Sequence, residues 1–208
     1  MSAKEHDALF PSKTVYFGAS LGGGSTEWTY LVDTTDAGQD PTAGSTPSAV
    51  TEGGPSWGVV FGYDLAKNFA IELQYMEFAD SSISFDNAGA GTYGYYNVIS
   101  KTDAYSLSGK FFVPLAMTHF RVFAAIGAGL VERRDPLVSE NSSAPPAHVT
   151  ASCVTPYMSS GVDYNITRHW IIEGGFQYYT GFGASETDPV DSFIPFAWDA
   201  YGRLAYQL

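Results

Sequence analysis

Four histidines, one cysteine and a scatter of serines are the groups in this 208-residue chain that could act as base, metal ligand or nucleophile. Acyl hydrolysis needs a nucleophile, a base and an acid converging on one point. His6 lies in the polar first segment, His119 and His169 stand beside short turns, and His148 lies in a long polar segment. None has a serine two positions away along a strand, so no catalytic residue is expected and the chain is read as a non-enzyme. Asn141-Ser142-Ser143 matches a glycosylation sequon by coincidence of composition. Cys153 has no partner for an intrachain disulfide and reads as a small residue near the outer end of a strand. The acidic residues lack the spacing of a calcium loop, and no His/Cys cluster occurs, so neither metal nor cofactor is expected.

The ionisable residues with a pattern are Glu72, Lys110, Arg121, Asp163, Glu173, Asp199 and Arg203. Each occupies the polar register of a stretch in which every second residue is apolar. Four acids and three bases sharing one face suit a mutually neutralising cluster, because isolated buried charges are too costly to keep. Counting across a turn at Leu115-Ala116 sets Lys110 opposite Arg121, with Glu72 as the neighbouring anion.

The elements that must carry these groups are strands. Period-2 alternation runs from Val15 to Leu21, Trp57 to Tyr63, Phe69 to Tyr75, Tyr105 to Val113 and Phe120 to Leu130. It continues, more weakly, from Pro156 to Tyr164, then from Ile172 to Tyr178 and from Trp198 to Leu208, giving eight strands and no helix. Three connections are short, around Leu65-Ala66-Lys67, Leu115-Ala116 and Asn165 to Arg168. Four are long and rich in Gly, Ser, Thr, Pro, Asn and Asp, at about 25–55, 79–102, 132–150 and 181–192. Short turns at one end and long loops at the other are the habit of an outer-membrane barrel.

Composition agrees. Charged residues are 15% of the chain, against ~25% in a soluble domain, and aromatics also reach 15%. The net charge of -12 disfavours a nucleic-acid partner, which needs a basic patch. No apolar run reaches the ~18 residues of a membrane helix. Small residues on the polar face fit a narrow interior, whereas a soluble barrel turns its apolar face inward. The aromatics fall into two bands. Pairing the second and third strands sets Trp57 opposite Tyr75 towards the long loops and Tyr63 opposite Phe69 towards the short turns. Tyr105, Tyr178 and Trp198 join the first band, and Tyr164, Trp170 and Tyr206 the second, marking two membrane interfaces.

These residues carry a resemblance. The run from Phe61-Gly62-Tyr63-Asp64 through Asn68 to Gln74-Tyr75 resembles the second hairpin of the outer-membrane protein A (OmpA)-type transmembrane domain. Gly161-Val162-Asp163-Tyr164-Asn165-Ile166-Thr167, followed by Phe176-Gln177-Tyr178, is similar to its third periplasmic turn. Leu204-Ala205-Tyr206-Gln207-Leu208 resembles its closing strand, although it ends on Leu208 where Phe is usual.

The resemblance implies an all-β, eight-stranded antiparallel up-and-down transmembrane barrel over residues 14–208, preceded by a periplasmic tail over 1–13. It implies a monomer in a Gram-negative outer membrane, in mature form, since Met1 to Pro11 is polar and contains no signal peptide. It also implies a lumen network often discussed as a gate, with Glu72 and Lys110 at two of its positions. Gly174 stands near the place of the gate's arginine, for which Arg121 or Arg203 would substitute, and a structural plug is favoured over a working gate.

The expected partners are outer-membrane lipid and lipopolysaccharide. Most of the acidic excess lies in the long loops, where divalent ions would bridge it to phosphates. Host surface molecules are the alternative partner, with Tyr93, Tyr95 and Tyr96 as exposed aromatics amid glycine. A narrow ion pore and a soluble ligand-binding barrel are the other readings.

Overall fold

The computed structural model describes residues 10, 12–28, 46–86, 96–116, 118–135, 137–139, 149–181 and 194–208. The alternating stretches form β1 (Thr14–Glu27), β2 (Thr46–Thr51), β3 (Gly54–Ala66), β4 (Phe69–Glu77) and β5 (Ser81–Asp86). They continue as β6 (Tyr96–Pro114), β7 (Phe120–Asp135), β8 (Leu137–Ser139), β9 (Val149–Asn165), β10 (Trp170–Tyr179) and β11 (Phe196–Gln207). Eight of these, β1, β3, β4, β6, β7, β9, β10 and β11, close an antiparallel barrel. β1 pairs with β11 and β6 with β7, so no barrel edge remains open. Closure matters because an unpaired N–H or C=O facing hydrocarbon costs several kcal/mol.

The facing of the side chains is inverted relative to a soluble barrel. Leu21 is 74% exposed, Ile126 63% and Leu73 55%, whereas Glu72 and Lys110 are each 1% exposed. Large aliphatics on the outside and charges within make sense only where the outer solvent is lipid.

The strands run further than sequence alternation suggests. β6 begins at Tyr96 and β7 ends at Asp135, so two of the long segments contribute ladder beyond the outer aromatic band. β2, β5 and β8 add a second small sheet on β6 in this region.

Two registers differ from those counted on the sequence. Across β3 and β4, Tyr63 faces Ile71 rather than Phe69, and Trp57 faces Glu77 rather than Tyr75. The turn is Lys67-Asn68, which moves the pairing by three residues, and a bulge between Asp64 and Ala66 takes back one, a net shift of two. Across β6 and β7, Lys110 faces Ala125, and Arg121 faces Pro114. That connection runs from Leu115 to His119, not over two residues. Thr118 holds it by donating to the Leu115 carbonyl at 2.9 Å and accepting from the Phe120 N–H at 3.2 Å.

Candidate functional site

The inward positions of β4, β6, β10 and β11 bring Glu72, Lys110, Glu173 and Arg203 together at one level of the barrel. Lys110 donates to Glu72 at 3.0 Å and to Glu173 at 2.5 Å. Arg203 reaches Glu72 at 3.3 Å and Glu173 at 3.0 Å. The result is a ring in which each cation bridges both carboxylates. Two tyrosines add to the ring: Tyr16 donates to Glu72 and Tyr201 to Glu173, both at 2.6 Å. Gly62 makes this possible, because a Cβ there would collide with the Tyr16 ring. Arg203 also donates to Gln74 at 3.0 Å, extending the network towards the long-loop end.

Arg121 and Asp163 form a second pair at 2.7 Å, with Lys110 4.0 Å from Asp163. Asp199 stands apart from the ions. It accepts hydrogen bonds from Ser56 and, at 3.2 Å, from Gln177. The ion cluster proper therefore holds Glu72, Asp163 and Glu173 against Lys110, Arg121 and Arg203, three charges of each sign.

The interior is not uniformly polar. Towards the short turns lies an apolar layer of Tyr16, Ala70, Phe112, Phe123, Ile171 and Ala205. Towards the long segments lies a second one, with Met76, Phe78, Tyr157, Tyr179 and Ile194 among its members. The cations lean on the first layer. The Lys110 ammonium is 4.0 Å from the Phe123 ring centre, and the Arg121 guanidinium is 3.9 Å from that of Phe112. Apolar floors above and below exclude water and strengthen each ion pair between them.

Sequence reasoning missed a further buried cation. Arg133 is fully buried, 3.0 Å from Asp135 and 5.3 Å from the Trp28 ring, above the second apolar layer. Both residues continue the inward alternation of Arg121, Phe123 and Val131, which was the available signal.

The aromatic bands have the following geometry. Trp57, Tyr75 and Tyr105 form a chain of ring contacts at 5.6 and 5.1 Å. Trp198 packs on Phe176 at 5.9 Å, and Tyr178 on Phe196 at 5.9 Å. At the other end Phe69 meets Phe111 at 4.8 Å, Phe120 meets Tyr164 at 4.7 Å and Trp170 meets Tyr206 at 5.0 Å. Tyr63 is 37% exposed on the outer wall of that same end.

His119 and His169 belong to this lower band. Each Nδ1 bonds a backbone carbonyl, that of Asn165 at 2.7 Å and that of Gln207 at 2.9 Å. Each ring stacks on an interfacial tyrosine, Tyr164 and Tyr206 respectively. His6, Tyr93, Tyr95, Asn141 and His148 lie outside the described residues.

A closed barrel with an apolar outer wall, two aromatic bands and a salt-bridged interior defines a small transmembrane β-barrel of the outer-membrane class. The chain belongs to the OmpA-like transmembrane domain family, whose model matches residues 11–201. Among solved structures it is similar to the outer-membrane protein OprG of Pseudomonas aeruginosa. The TM-score is 0.58 at 14% identity, covering 95% of this chain and 97% of that one. It is also similar to Neisserial surface protein A, with TM-score 0.55 and 12% identity over 93% and 97% of the two chains. The N-terminal barrel domain of Pseudomonas aeruginosa OprF matches with TM-score 0.52 and 12% identity over 95% and 98%. Among curated proteins no sequence match is found.

Proposed function

We propose that the chain is a structural and surface-interaction protein of a Gram-negative outer membrane, and that its interior is a fixed plug. The observation that carries the plug is Lys110, held by Glu72 at 3.0 Å and Glu173 at 2.5 Å between two apolar layers. A working gate needs a second arrangement of nearly equal free energy. Here Lys110 and Arg203 each already bridge Glu72 and Glu173, and any rearrangement strips a buried charge of one of its partners. The function is then carried by the wall and the outward segments. The wall holds the protein among lipids, and the acidic segments meet lipopolysaccharide through divalent ions, as a monomer. Catalysis is not part of this reading: His119 and His169 serve the inner interface, each bonding through Nδ1 to a strand-end carbonyl and stacking on a tyrosine.

Planar-bilayer recording of the refolded protein tests the plug. The wild type should insert without stable open levels, while Glu72→Ala should show transient openings. A steady open level in the wild type would establish the pore reading instead. An adhesive role on the same scaffold is favoured by Tyr93, Tyr95 and Tyr96 amid glycine in one long segment. Host-cell binding that disappears when the long segments are trimmed would support it.

A further inference from the structure

The outer wall of the β10–β11 pair carries two features that neither the lumen plug nor the outward segments use. The first stands at its short-turn end. The His169 Nδ1 faces the Gln207 carbonyl at 2.9 Å and must donate to it, so the ring presents Nε2 as an acceptor. Arg168 fills that acceptor, its Nε donating at 2.9 Å. Thr167 holds the turn, its hydroxyl accepting from the N–H groups of His169 and Trp170, both at 3.1 Å. The His169 ring stacks on Tyr206, and Trp170 packs edge-on against the same tyrosine. The exposed Arg168 guanidinium is thus pinned through one nitrogen at the inner aromatic band, and no ion pair among the described residues engages it. The exposed cations of the outer end differ: Lys101 is 3.4 Å from Asp80, and Arg134 is paired with Asp103. The turn before β7 repeats the histidine without the cation. His119 bonds the Asn165 carbonyl and stacks on Tyr164, but Thr118 stands where Arg168 does.

The second feature lies on the same face, deeper in the wall. Above the row of Trp170 and Tyr206 come Ile172 opposite Leu204, then Gly174 opposite Gly202. Ile172 and Leu204 are exposed on the wall, and a Cβ built at either glycine would have nothing within 4 Å. The wall is therefore notched at this pair, between Leu21 of β1 and Val162 of β9. Gly202 lies about 14 Å along the strand from Tyr206, close to the depth of one leaflet of a ~30 Å hydrocarbon core.

We propose that this face binds one anionic phospholipid of the inner leaflet, with its phosphate on the terminal nitrogens of Arg168 and an acyl chain laid over Ile172 and Leu204 into the glycine notch. A guanidinium fork matches two phosphate oxygens, and fixing its Nε on His169 orders the fork before the lipid arrives. With no carboxylate paired to Arg168 among the described residues, a headgroup ammonium finds no partner there, which favours net negative charge over a zwitterion. The proposal rests on the reading of the chain as an outer-membrane barrel whose short turns face the periplasm. It does not depend on the plug or on what the outward segments meet, so a conducting wild type would leave it untouched.

Native mass spectrometry of the refolded full chain, released from detergent micelles, tests it with dimyristoyl-phosphatidylglycerol as the probe. The wild type should take up one lipid saturably. Neither dimyristoylglycerol, which lacks the phosphate, nor inorganic phosphate, which lacks the chains, should match it. Arg168→Gln should weaken binding by about fivefold or more, the worth of one interfacial cation to an anionic lipid. Gly202→Leu has room to fold normally and should weaken binding by about threefold by filling the notch. Lys101→Gln, at the outer end, should bind as the wild type does. Equal affinities for wild type and Arg168→Gln, in chains giving the same heat-modifiable gel shift, would overturn the proposal. So would wild-type affinity in Gly202→Leu, inorganic phosphate binding as tightly as the lipid, or an equal loss in Lys101→Gln, which would show attraction by net charge alone.

Discussion

Glu72→Ala should destabilise the folded barrel by about 3–5 kcal/mol, the cost of stripping one partner from a buried ion cluster. Glu72 accepts from Tyr16 at 2.6 Å, Lys110 at 3.0 Å and Arg203 at 3.3 Å. At an effective dielectric near 20, each of the two ionic contacts is worth roughly 5 kcal/mol gross, most of it offset by the desolvation of both partners. The mutation removes the attraction and keeps the desolvation of the cations. It also leaves three cations facing two carboxylates in the cluster. Urea unfolding in lipid vesicles, read by tryptophan emission, measures the loss. Glu72→Gln should lose less, because its carbonyl can still accept from Tyr16. Removing a cation as well, in Glu72→Ala with Lys110→Met, restores the balance of two and two. The double variant should be more stable than the sum of the singles by about 1–3 kcal/mol. A loss under about 1 kcal/mol for Glu72→Ala, or strict additivity in the double variant, would refute the idea of a mutually compensating cluster.

Ile126→Arg, at mid-wall, should cost about 2–4 kcal/mol, whereas Leu115→Arg, in a turn beyond the lower band, should cost under about 1 kcal/mol; the same urea titrations decide. Gly62→Ala should cost about 1–3 kcal/mol by displacing Tyr16 from Glu72, and a parallel Tyr16→Phe variant should absorb part of that effect if the collision is the cause. Deleting 33–44 or 184–190 should leave refolding intact, because chain length in a surface connection adds little closure entropy. Extending the first deletion into 46–51 removes β2 and should free the β5 edge, read as faster hydrogen exchange at Ser82 to Phe85. Unchanged exchange there would show that β2 does not hold β5.

The barrel was legible because a strand's two-residue period writes the inside and outside on alternate positions. Leu73 beside Glu72 and Phe111 beside Lys110 are enough to fix which face meets lipid. The registers were less legible. A bulge at Asp64/Ala66 and a five-residue turn from Leu115 to His119 leave no mark on alternation, yet each slides one strand along the next. Parity groups Asp199 with the ions because it records facing and not depth. Its neighbours are Ser56 and Gln177, one level towards the long segments. Arg133 and Asp135 escaped for a related reason. Their Gly-, Pro- and Ser-rich surroundings read as loop, while the ladder of β7 and β9 carries the inward alternation past the outer aromatic band.

The central claim is that this chain folds only where lipid can cover its outer wall, from Leu21 on β1 to Leu204 on β11. Dilution from urea into detergent or vesicles, against dilution into buffer alone, tests it most directly, with unboiled and boiled samples run side by side on gels. The lipid-containing samples should show a faster-migrating unboiled band that disappears on boiling, and the buffer sample should show none and should aggregate. A chain that refolds in buffer to a soluble monomer with the same heat-modifiable band would contradict the account.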